Sequence, residues 1–119
     1  MSRIALVTFA AGTHRYALEA SQVQSQRLRP DAKRHVSAAE WLGLPGEHPA
    51  PERWLTIDDH RGLWQLGVAG DVELIERPTA SLYPLPELVR ASAHPALCGL
   101  ALKDQRVALW LLDARRAQD

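Results

Sequence analysis

Gly62-Leu63-Trp64-Gln65-Leu66-Gly67-Val68-Ala69-Gly70-Asp71-Val72-Glu73-Leu74-Ile75, then Tyr83-Pro84-Leu85-Pro86-Glu87-Leu88, then Gly99-Leu100-Ala101-Leu102 on through Val107 to Asp113, is the stretch whose reading decides the fold. Short apolar runs broken by glycines, turn residues and a proline-bounded connector read as strands. No cluster of reactive side chains accompanies them.

Working outward, residues 4–9 read as a buried strand and residues 16–18 as its partner after a turn containing Gly12. From Gln22 to His35 the composition turns polar and basic around Pro30-Asp31, which reads as a loop or a solvated edge. Ser37-Ala38-Ala39-Glu40 matches a capping box, with Val36 and Trp41 placed for a hydrophobic staple, and predicts a short helix that stops near Gly43. Pro45, Gly46, Pro49 and Pro51 make residues 44–52 an irregular connector. Residues 54–57 and 63–68 form a second hairpin across Asp58-Asp59-His60-Arg61-Gly62, and an extended segment through Val72 and Leu74 ends at Pro78. In that segment Val72, Leu74 and Glu76 alternate with Glu73, Ile75 and Arg77, so neither face is cleanly apolar. A stiff connector over residues 82–86 precedes a helical turn over residues 87–90, and residues 97–102 pair with 107–112 in a last hairpin. Many short strands with one or two short helices indicate a mainly β domain of barrel or paired-barrel type.

At 119 residues the chain is one domain with enough length for a single core. Its 46% hydrophobic and 24% charged residues are ordinary for a globular protein. Zero formal net charge removes the broad attraction to nucleic acid or anionic lipid that a basic domain has. The charge is uneven, however: residues 1–35 carry six Lys/Arg against Glu19 and Asp31. The single cysteine, Cys98, allows no internal disulfide and reads as a small buried residue, which fits a reducing compartment. The N-terminus enters a strand directly, without an apolar stretch suited to a signal peptide or membrane span, so a cytoplasmic location without direct membrane insertion is expected.

The residues that carry chemistry elsewhere have plainer readings here. His14, His35, His48, His60 and His94 are scattered over inferred turns, no pair has zinc-motif spacing, and no metal or cofactor is expected. Asp58-Asp59 reads as a water-facing turn rather than a catalytic carboxylate pair, and no serine lies in a nucleophile-elbow context, so neither catalytic residues nor an enzyme are expected. Trp54, Trp64 and Trp110 sit in apolar strand runs, where core packing is the stronger reading. The four tryptophans, these three and Trp41, with Arg27, Arg29, Lys33 and Arg34 give the alternative of a small β-barrel nucleic-acid-binding module using the basic loop 27–34. A charge run of that size is more often a solvated face, and no nucleic-acid partner is expected.

The order of these pieces resembles the CheW family of chemosensory adaptors over nearly the whole chain. Phe9, Gly12, Tyr16, Ala17, Leu18 and Val23 are similar to the family's opening hairpin, with a one-residue change in spacing. Leu42-Gly43-Leu44 resembles its L-G-L after a short helix, and the run from Leu66 to Val72 its V-D-x-V segment. Pro84-Leu85-Pro86, Gly99-Leu100-Ala101 and Leu111-Leu112-Asp113 resemble the closing strands. The resemblance implies two paired small β-barrels, a reduced first subdomain over 1–43 and second-barrel-like strands over 53–113.

It also implies partners. In the family the first barrel contacts the regulatory domain of a CheA-type kinase, and the groove between barrels takes the helical tip of a chemoreceptor. Where a typical member has two further strands around an N-L-R-G-like turn, this sequence has only residues 24–35, and little follows Asp113 for a terminal helix. An incomplete first barrel with weak or no kinase binding is therefore expected, as in the reduced adaptors of gliding-motility chemosensory systems. The implied role is a non-enzymatic scaffold at chemoreceptor arrays, binding a methyl-accepting chemoreceptor and other CheW-like proteins. Val23, Val72 and Leu74 are the candidates for the receptor groove, and ordinary core is as good a reading of each.

Overall fold

Turn chemistry at three points sets the hairpins of this computed structural model, which describes residues 2–87, 89 and 94–114. β1 (Arg3–Ala11) and β2 (His14–Glu19) turn at Gly12, whose φ of 62° lies in the left-handed region that glycine enters freely. In chain order there follow β3 (Val23–Arg27), β4 (Arg34–Ser37), helix α1 (Ala38–Trp41) and β5 (Arg53–Asp59). β6 (Gly62–Pro78) pairs with β5 in the second hairpin, and β7 (Leu82–Pro84) follows. β8 (Leu97–Lys103) and β9 (Arg106–Leu112) close the last hairpin across Asp104 and Gln105, both with positive φ, as a tight two-residue turn requires. The serine half of the expected capping box forms: the Ser37 hydroxyl accepts a hydrogen bond from the Glu40 backbone N–H at 3.1 Å. The helical turn expected over residues 87–90 falls largely outside the described residues.

Segment 24–35 takes the second of the two forms its composition left open, a solvated edge rather than only a loop. Most of β3 and the start of β4 lie within it; β3 pairs antiparallel with β5, and β4 runs parallel to β6. Neither strand carries a buried side chain, so the apolar signal that reveals a strand is missing from both. Backbone pairing to the neighbouring strand defines them instead.

The strands make two sheets that share β6. Sheet A runs β6–β1–β2–β9–β8–β7, with β2 parallel to β9, and sheet B runs β3–β5–β6–β4. Residues 62–68 of β6 pair with β4 and β5, and residues 69 and 73–78 pair with β1 across a register shift. The sheets do not follow the division of the chain into 1–43 and 53–113: β1 and β2 lie in sheet A, while β5 and the first part of β6 lie in sheet B. β3 and β4 are the two edges of sheet B and do not pair with each other, which leaves that sheet open.

The main core draws on both sheets. Phe9 and Leu18 from sheet A meet Leu55, Ile57, Leu66 and Val68 from sheet B, all essentially without solvent contact. A smaller core of Leu6, Ala17, Ala101 and Leu109 lies in sheet A. Trp64 is buried in the main core and Trp110 packs against that core, as the apolar strand runs predicted; Trp41, from α1, packs there too, whereas Trp54 is only partly buried and belongs to neither core. Cys98 is half-buried rather than buried, its thiol 3.5 Å from the Leu111 carbonyl oxygen.

Candidate functional site: a groove between the sheets

β6 passes from sheet B to sheet A at Ala69 and Gly70, and Gly70 takes a φ of 78° there. Beyond this point Val7 lies opposite Leu74, and Leu6 opposite Ile75. Residues directly opposite on antiparallel strands share a face. Leu6 and Ile75 thus look into the small core of sheet A, while Val7, Leu74 and, two residues earlier, Val72 look the other way. The alternation that left neither face cleanly apolar is explained: the segment has an apolar environment on both sides.

The outward set faces a groove of about 340 Å³ shared with edge strand β3. Val7, Val72 and Leu74 line it from sheet A, Ala20 from the turn after β2, and Val23 and Leu55 from sheet B. Val23, Val72 and Leu74, singled out in the sequence, come together here although 51 positions separate Val23 from Leu74. Leu74 is 71% exposed, among the most exposed large apolar side chains described. It is no core residue, whereas Val23 and Val72 are partly buried and also pack against the main core.

Sequence reasoning missed the rest of the lining. Gln24, Ser25 and Gln26 join Val23 on the β3 side. Four consecutive residues reach one groove because of a register shift: Val23 is opposite Ile57 and Ser25 opposite Thr56, leaving Gln24 without a partner on β5. Such a bulge re-aims side chains that strict alternation would send to opposite faces. Val7 was hidden for another reason. It sits in an unbroken apolar run that gives no sign of which face it serves.

No family model and no curated protein matches the sequence. Among solved structures, the chain is similar to the scaffolding protein TtCheW from Thermoanaerobacter tengcongensis, with a TM-score of 0.78 and 14% identity over 96% of this chain and 91% of that one. The fold is CheW-like. At that coverage most of the TtCheW chain has a counterpart here, consistent with the strands β3 and β4 found in segment 24–35.

In the basic loop of this CheW-like domain Arg34 is tied to sheet B, while Arg27, Arg29 and Lys33 are exposed. Arg34 donates from both terminal nitrogens to the Asp59 carboxylate, at 3.0 and 3.3 Å, and also to the Gly62 carbonyl oxygen at 3.0 Å. Asp59 is 8% exposed, which corrects the water-facing reading of Asp58-Asp59; only Asp58 is exposed. Burial pushes the Asp59 carboxyl up, but hydrogen bonds from Arg34 and the Arg61 backbone N–H, with the Arg34 charge, outweigh it and hold it below the ordinary range. Gln65, fully buried, accepts from the backbone N–H groups of Asp31 and Ala32 and donates to Asp31 and Thr56.

Three tryptophans meet histidines edge-on, and Trp54 also lies opposite Arg27 across β3 and β5. Trp54 is in edge contact with His35, Trp110 with His14, and Trp41 with His94. His48 bonds the Pro45 carbonyl oxygen and His94 accepts from the Ala96 backbone N–H. Among the described residues no group of three or more His, Cys, Asp or Glu is placed to hold a metal ion, and no helix is long and apolar enough to cross a membrane.

Proposed function

We propose that this protein is a non-enzymatic chemosensory scaffold of the cytoplasm, working at receptor arrays, that takes the helical tip of a chemoreceptor into the groove between its sheets. The observation that carries the reading is the convergence of Val23, Val72 and Leu74 on one open groove, with Leu74 held out in water on a structured strand. An exposed leucine on a strand is uncovered apolar area that a partner helix would remove from solvent, in helix-in-groove fashion. The likeness to TtCheW, a scaffolding protein, supports the same role.

Contact with a CheA-type kinase is weak in this reading, which aligns the protein with the reduced adaptors of gliding-motility systems. The premise of missing strands is replaced by a different one. β3 and β4 are present, but as short open edges rich in Gln, Arg and His without a buried side chain, and they offer a partner barrel little apolar area. Other CheW-like proteins remain partners through the rest of the surface.

The test is a titration of the purified protein against a receptor tip and against the kinase regulatory domain, beside a full-length CheW-like protein from the same cell. Tip binding with weak kinase binding is the expected pattern. Absence of binding to every cognate tip by a folded sample would overturn the receptor role, and equal kinase affinity in the two proteins would overturn the reduced kinase contact.

A further inference from the structure

We propose that the groove selects a helix of mixed but uncharged character: aliphatic residues on the flank that meets β1 and β6, and amide or hydroxyl side chains on the flank that meets β3. The inference rests on the scaffold reading above and specifies the partner's chemistry. Its basis is the asymmetry of the walls. One is aliphatic, through Val7, Val72 and Leu74; the other is polar but neutral, through Gln24, Ser25 and Gln26; and no described residue that lines the groove is ionisable.

The polar wall has hydrogen-bonding capacity left over. Gln24 is engaged, its amide nitrogen donating to Asp58 at 3.3 Å. Among the described residues the Ser25 hydroxyl and the Gln26 amide have no side-chain hydrogen bond, and both belong to the bulged stretch that lines the groove. Water satisfies them in the free protein. A docked aliphatic flank would strip that water and return nothing, whereas an Asn, Gln, Ser or Thr flank replaces those bonds. A charged flank would be desolvated with no counter-ion in the lining. Selection thus works by rejection on two sides: greasy flanks are refused by the polar wall, charged ones by the absence of an opposite charge.

The probes are four designed two-helix hairpins with the same leucine stripe and a flank of Gln, Ala, Glu or Lys, titrated calorimetrically against the full chain. The Gln-flank hairpin is expected to bind about tenfold tighter than the Ala-flank one, the return from one or two recovered hydrogen bonds. Glu- and Lys-flank hairpins bind more weakly still, and the Gln-flank affinity changes less than about twofold between about 50 and about 500 mM salt, because no ion pair is made. Ser25→Ala with Gln26→Ala closes most of the Gln-to-Ala gap from both ends, weakening the Gln-flank hairpin by the lost bonds and tightening the Ala-flank one, which no longer strips water from a polar wall; neither side chain is tied into the fold, and circular dichroism checks that the variant is native. Equal binding of all four hairpins overturns the selection and leaves the scaffold reading standing. So does binding of a receptor tip with no hairpin bound. Failure of hairpins and receptor tips alike overturns the scaffold reading and this inference with it.

Discussion

Gln65 and Asp31 are bonded to each other twice. The amide nitrogen of Gln65 donates to the Asp31 carboxylate at 2.7 Å, and its amide oxygen accepts the Asp31 backbone N–H, also at 2.7 Å. A fully buried side chain on a central strand of sheet B thereby fixes the polar connection between β3 and β4, two strands that bury no side chain of their own.

Replacing this residue, Gln65→Leu, strands the backbone N–H groups of Asp31 and Ala32. The cost is about 1–3 kcal/mol for each buried group left unbonded, reduced where the loop can move out to water. Urea denaturation reads the loss as a lower midpoint. Affinity at the groove stays within about twofold, since none of the described residues that line it bonds Gln65.

Acid should weaken the fold through Asp59. Its carboxyl is held below the ordinary aspartate value, so the folded form binds its proton less readily than the unfolded form. The stabilisation is fully present above the ordinary value of about 4 and is lost as pH falls through the lowered folded value. Asp59→Asn removes that dependence. Urea midpoints for both proteins, measured from about pH 7 down to about pH 2, should differ most near neutrality and converge in acid; a constant gap would show that Asp59 does not carry the linkage.

Leu74→Asp and Leu55→Ala separate binding from stability at one site. Leu74 is largely exposed, so the aspartate changes stability by no more than about 0.5 kcal/mol while lowering receptor-tip affinity at least about tenfold. Leu55 is 1% exposed, and its truncation costs about 2–5 kcal/mol. Thermal melts beside tip titrations check both.

Gly67→Ala is expected to destabilise by about 1–3 kcal/mol, as overpacking does. A Cβ there would lie 2.8 Å from ring atoms of both Pro51 and Trp54, and neither ring has a flexible end to swing aside. A melting temperature equal to that of the parent chain would show that the 44–52 connector shifts freely.

What the sequence made legible follows the strength of its local signals. Hairpins with glycine or Asp-rich turns, the Ser37 cap and the buried tryptophan strand all announce themselves within a few residues. β3 and β4 do not, because their pairing comes from β5 and β6, distant in sequence, and their side chains stay in contact with water. Val23, Val72 and Leu74 were found as groove candidates through family resemblance. Gln24, Ser25 and Gln26 were missed because a bulge is a property of two strands in register, which one strand's sequence does not encode. Asp59 was misjudged for a similar reason: the partner that makes its burial tolerable, Arg34, is contributed by another strand.

β6 belongs to both sheets without interruption over 17 residues. The two halves of this molecule are therefore not exchangeable parts. No cut in the chain yields one intact sheet without taking a strand from the other, so the protein does not lend itself to inheritance by domain shuffling, and split fragments would have to associate to recover either half. Recombination that respects β6 can exchange only loops and the edge strands β3, β4 and β7.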